Sequence, residues 1–139
     1  MNAKDYLSQA RFLDMTINSK IEQLESLNSL ATKATATLSD MPHNPNRGTS
    51  SLEDTICKII DLQDEINRDI DALVDLKREI IHRIKKIDNS EYQALLELRY
   101  LSFLSWERIS VDMNISMQHA FRLHDRAIEN FSQIYEIGE

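Results

Sequence analysis

Residues 98–131, LRYLSFLSWERISVDMNISMQHAFRLHDRAIENF, decide how this chain is read. One helix ends near Leu101, and two more carry start signals at Ser105 and Ser116. A serine just ahead of an apolar-periodic run accepts a hydrogen bond from the orphan amides of the first helical turn. Between the second and third helices lie only Asn114 and Ile115, a tight turn in which asparagine tolerates a left-handed backbone. The apolar positions suit two helices crossing. Trp106, Ile109 and Met113 line the first, Ile115 sits in the turn, and Ala120, Leu123, Ala127, Ile128 and Phe131 line the second. Ser110 is small where the two must approach. A short helix, a tight turn and a longer helix are the parts of a helix-turn-helix, whose second member enters the DNA major groove.

Working back toward the N-terminus, Asp88-Asn89 breaks a rhythm, and Ser90 with Gln93 reads as a capping box for a helix over Glu91–Leu101. Its Tyr92, Leu95, Leu96, Leu98 and Tyr100 suffice to cover the helix-turn-helix. Before it, two long helices are expected, about 50 Å each. The first runs from Asp5 to Leu38, with Tyr6, Ala10, Leu13, Ile17, Lys20, Leu24, Leu27, Ala31, Ala34 and Leu38 in alternating steps of four and three. That is a coiled-coil seam with one charged member, Lys20. The second starts at a capping signal, Ser50 with Glu53, and runs to Ile87. Its seam is Leu52, Ile56, Ile59, Gln63, Ile66, Ile70, Leu73, Lys77, Ile80, Ile84 and Ile87, interrupted at Gln63 and Lys77. Between them SDMPHNPNRGTSS, residues 39–51, reads as a loop. The fold class is therefore all-α: an antiparallel helical hairpin over 1–87, then a helix-turn-helix module over 88–139. Ile60, Leu62, Val74, Leu76 and Ile81 leave apolar surface beyond the seam, to be covered either by the C-terminal helices or by a second chain in a four-helix bundle, and the homodimer is the favoured expectation.

Composition agrees with long helices, since the 139 residues contain only 2 Gly and 2 Pro. No apolar run is long enough for a transmembrane helix, and the opening MNAKDYLSQAR has no signal core. With the single Cys57 unable to form an internal disulfide, a cytoplasmic chain is expected. Net charge is −7, and residues 88–139 hold four basic against nine acidic groups. Net acidity opposes nucleic-acid binding at long range, so the charge of the contacting face decides. Between Ser116 and Arg126 that face holds two arginines, two histidines and one aspartate.

The run SWERISVDMNISMQHAFRLHDRAIENF resembles region four of sigma factors, the part that reads the −35 promoter element. The likeness lies in the Ser105-Trp106-Glu107 start, the apolar Ile109 and Ile115, the Ser116 cap, and the ending at Ala127, Ile128 and Phe131. With LLELRYLSFLSWE ahead of it, it is closer still to small phage and prophage proteins of Gram-positive bacteria, the ArpU/RinA-type transcriptional regulators. The resemblance covers the whole chain, because those proteins also place a long helical segment before the helix-turn-helix.

The resemblance implies a DNA-reading surface at Ser116, Met117, Gln118 and His119, then Phe121 and Arg122. Gln118 suits a bidentate pair with adenine and Arg122 one with guanine, or a phosphate contact; His119 can donate to either base. Met117 and Phe121 meet thymine methyls or face protein. Arg126 and Arg108 suit phosphates, which position the protein without specifying sequence. Trp106 is expected to pack on the third helix or the hairpin, and Arg99 to pair with Glu107 or touch phosphate. Arg78, His82, Arg83, Lys85 and Lys86 form the most basic run, either a solvated face or a set of flanking phosphate contacts.

Enzyme readings lack support. There is no Gly-rich phosphate loop, and the carboxylates of the second helix lie on its polar face. His119 and His124 are five apart and point in different directions, and no zinc spacing is present. No catalytic group, metal or cofactor is expected. The function expected is sequence-specific transcriptional regulation, phage-encoded, with double-stranded DNA as partner. The alternative is a protein-interaction module engaging RNA polymerase, a sigma factor or another phage protein, and a third is a structural phage component built on the coiled coil.

Overall fold

The computed structural model describes residues 1–40 and 45–137, and every regular element among them is a helix. These are α1 (Ala3–Asp40), α2 (Pro45–Ile84), α3 (Ser90–Tyr100), α4 (Trp106–Met113) and α5 (Met117–Ile137). The protein is all-α. No described helix is long and apolar enough to cross a membrane.

The packing divides into two units, one of Met1–Asp14 with Leu73–Glu139 and one of Met15–Ala72. In the first, the opening turns of α1 and the closing turns of α2 share one core with α3, α4 and α5. Leu7, Ile80, Ile84, Ile87, Leu95, Leu96, Ile109 and Phe131 are its fully buried large side chains. Removing a side chain the size of Phe131 from such a core costs about 3–5 kcal/mol. Tyr6 stacks on Phe131 with centroids 6.1 Å apart and tilts against Tyr135 at 4.9 Å. Arg83 lies over both tyrosine rings, and Tyr6 donates from Oη to Glu79 at 2.7 Å. Burial and that carboxylate push the Tyr6 hydroxyl pKa up.

In the second unit, α1 and α2 pair through Ile17 and Ile66, both buried. Lys20, the charged seam residue, reaches Asp69 at 2.7 Å and Glu65 at 3.8 Å. This pairing resolves a difference from the expected seam. On α2 the inward side holds Leu52, Thr55, Ile59, Leu62, Ile66 and Asp69, whereas Ile56, Gln63 and Ile70 are exposed. Two stripes one residue apart compete for the seam, and the one that carries Asp69 meets Lys20. The register that turns Asp69 inward gives the half-buried Lys20 a charge-assisted hydrogen bond at 2.7 Å. Gln63 therefore does not interrupt a seam, and in the other unit Lys77 sits 4.6 Å above the Phe103 ring.

Helix ends also differ from expectation. α1 reaches Asp40 and α2 opens at Pro45, so most of the expected loop is helical, and residues 41–44 lie outside the described residues. Proline is favoured in the first helical turn, where its missing N–H is no loss. Ser50 is thus inside α2 and does not cap it. The cap of α3 is Asn89, not Ser90: its Oδ1 accepts from the Glu91 and Tyr92 amides at 2.8 and 3.1 Å. Gln93 reaches back, its Nε2 donating to the Ile87 and Lys85 carbonyls beyond the end of α2.

Candidate functional site

α4 and α5 form as the local chemistry dictates. Ser105 Oγ accepts from the Arg108 amide at 3.2 Å, which caps α4. At the other end Ile115 N–H reaches Ser110 O at 2.9 Å, and Asn114 N–H reaches Val111 O at 3.1 Å. Those two bonds are a Schellman closure, and it needs a left-handed residue at Asn114, whose φ is 57°. Ser116 Oγ then accepts from the His119 amide at 3.0 Å and starts α5. Ile109, Ala120, Leu123 and Ala127 bury the crossing between the helices. This is the expected helix, turn and helix, with both serine caps in place.

The faces separate cleanly. Ser116, Gln118, His119, Phe121, Arg122 and Arg126 on α5 are exposed, as is Arg108 on α4, whereas Met117 is half-buried. Phe121 is 44% exposed although its ring meets the edge of Trp106 at 5.3 Å. Arg108 Nε already pairs with Asp112 at 3.1 Å, which reduces the charge it offers a ligand. Arg122 and Arg126 have no ion-pair partner among the described residues. Exposed Asp125 and Glu129 share their side of α5. In the basic run of α2, Arg78, His82, Lys85 and Lys86 are exposed, but Arg83 is spent on the tyrosines.

His124 points the other way from His119, as the five-residue spacing requires. It is only 7% exposed, with Nε2 2.6 Å from the Tyr100 hydroxyl and its ring edge-on to Trp106 at 4.8 Å. Burial pushes its pKa down to about 4; the Asp125 carboxylate opposes this, and Lys4 and Arg99 add smaller downward pushes. The imidazole is therefore neutral at pH 7. Its Nδ1 lies 3.9 Å from the Asp125 carboxylate, which favours the Nδ1–H tautomer and leaves Nε2 to accept from the Tyr100 O–H. Burial pushes that hydroxyl up to about 12, so it stays a donor.

Trp106 is a half-buried hub: Arg99 stacks over it at 4.7 Å and donates from Nη1 to Leu104 O at 2.9 Å. Of the two contacts anticipated for Arg99, the ion pair with Glu107 is not made among the described residues. Beside this stack opens a pocket of about 350 Å³, whose wall includes Arg11, Arg99, Trp106, Glu107 and Met117. Arg11 carried no signal in the sequence beyond being one of four basic residues spread along a long helix.

Among the described residues no group of three or more His, Cys, Asp or Glu side chains is gathered as a metal site. A family model described as Protein of unknown function (DUF1492) matches residues 46–132. No curated protein and no solved structure matches the chain.

Proposed function

The chain belongs to that family, and we propose that it is a phage-encoded, cytoplasmic transcriptional regulator that reads duplex DNA with α5. The observation that supports this reading most is the exposed row on α5. Gln118, His119, Arg122 and Arg126 project from the start of a capped helix whose opposite face is buried against α3 and α4. Side chains at the start of the second helix of a helix-turn-helix are the ones that reach base edges. In this reading Gln118 and Arg122 select bases, His119 and Phe121 shape the contact, and Arg126 and Arg108 hold phosphates. Ser116 and Met117 set the entry of the helix. The resemblance to sigma region four and to ArpU/RinA-type regulators belongs to the same proposal. So does a homodimer, in which a second copy covers the exposed Ile56, Ile60 and Ile70 of α2 and presents a second half-site.

The test is in vitro selection from random duplex DNA at low salt, with Gln118→Ala and Arg122→Ala combined as the control. Enrichment of a motif that the double variant loses supports the reading; selection unchanged by the variant sinks the assignment of α5. A second reading draws on Val111, 73% exposed on α4, and on exposed Phe121 within an acidic module. There the module engages RNA polymerase, a sigma factor or another phage protein. Folded protein that enriches no DNA favours it.

A further inference from the structure

Positive charge in the first unit is not confined to the exposed row of α5. Arg11 from α1 and Arg99 from α3 line the same pocket, 88 positions apart in the chain, and neither has a carboxylate partner among the described residues. Like charges brought together without compensation cost free energy, and the cost is relieved when an anion enters. The Arg99 guanidinium is held rigidly, stacked on Trp106 and bonded to Leu104 O, so its remaining N–H donors are fixed in direction. The other charge on the wall is Glu107, exposed at the rim, which leaves the pocket with one uncompensated positive charge. The first turn of α4 adds to it, because Ser105 satisfies the Arg108 and Ile109 amides and leaves those of Trp106 and Glu107.

We propose that the pocket between Arg11 and Arg99 is an oxyanion site for a phosphodiester, and that its occupant is one backbone phosphate of nucleic acid lying beside the start of α5. A phosphodiester carries a single negative charge, which matches the excess. Planar guanidinium forks are the groups that recognise its paired oxygens. Met117, the first residue of α5, forms part of the wall, so a strand whose phosphate rests here passes the start of the exposed row. The identity of the occupant rests on the DNA reading above; the anion site itself does not. Arg99 loses some of its preference for the charged form through burial and through Arg11, in agreement with a site short of negative charge.

Trp106 is the single tryptophan and forms part of the pocket wall, so tryptophan emission reports on a change there. The full chain is titrated with inorganic phosphate, and separately with a labelled duplex of scrambled sequence followed by anisotropy, using the native protein, Arg11→Gln and Arg11→Lys. Arg11→Gln is chosen because Arg99 also supports Trp106; thermal unfolding of each variant checks that the fold is kept. The expected result is duplex binding weakened about three- to tenfold by Arg11→Gln, equally for all sequences, with a log–log salt slope shallower by about 0.9. Arg11→Lys keeps the slope because it keeps the charge. Phosphate changes Trp106 emission in the native protein and not in Arg11→Gln. If phosphate binding needs Arg11 but duplex binding does not, the occupant is a free phosphate and the backbone assignment is overturned. If neither ligand responds to Arg11, the site itself is overturned, whatever α5 does. Arg11-dependent phosphate binding with no duplex binding at all leaves the site standing and removes the DNA reading instead.

Discussion

His124 makes the stability of the helix-turn-helix depend on pH in a window that its burial defines. In the folded protein its pKa lies near 4, against 6.5 for a free histidine, because the ring is enclosed by Trp106 and Tyr100. A depressed histidine favours the neutral form on folding. Its contribution is therefore whole above pH 6.5, falls as the unfolded chain gains a proton that the folded one refuses, and stops falling below about pH 4. The full difference is worth about 3 kcal/mol, and about 2 kcal/mol of it is lost between about pH 7.5 and pH 5. The assay is urea unfolding followed by circular dichroism, run on the native chain and on His124→Gln, which can still accept from Tyr100 Oη but does not titrate. Carboxylates titrate in both proteins, so the difference between the two curves isolates the imidazole. The stability advantage of the native chain should shrink by about 2 kcal/mol over that interval. A difference that stays constant to within about 0.5 kcal/mol would refute the reasoning, and would mean that the ring is hydrated or protonated in place.

At Asn114 the left-handed backbone predicts that Asn114→Ala costs about 1 kcal/mol while Asn114→Gly stays within a few tenths, measured by urea midpoint. For the pair in the second unit, Asp69→Leu alone leaves Lys20 only its longer contact with Glu65, whereas Lys20→Met with Asp69→Leu together recovers part of the lost stability; strict additivity of the two changes would deny the coupling. Light scattering at about ten micromolar should return twice the chain mass, and a monomer there removes the proposed role of Ile56, Ile60 and Ile70.

The two halves of the α4–α5 motif were legible because their bonds are local. Ser105 to Arg108, Ile115 to Ser110, and Ser116 to His119 all span five residues or fewer, so residue type and order suffice to specify them. The same local chemistry misled at α3, where Asn89 and Ser90 are both competent caps. Backbone dihedrals chose Asn89, extended at φ −87° and ψ 115°. On α2, period alone cannot separate adjacent stripes, and hydrophobicity favoured Ile56 and Ile70 over Thr55 and Asp69. The choice fell to a charge on another helix, Lys20.

What the sequence determines by itself is the all-α class, the order of the helices and the turn between α4 and α5, since helix periodicity and capping are properties of neighbours in the chain. What only the tertiary structure decides is which residues far apart in sequence share an environment. Tyr6 is brought against Phe131 and Tyr135, Tyr100 against His124, and Arg11 into one pocket with Arg99. Burial and electrostatics act through space, so a proton refused by His124 and a charge left over between two arginines have no signature in the order of the residues.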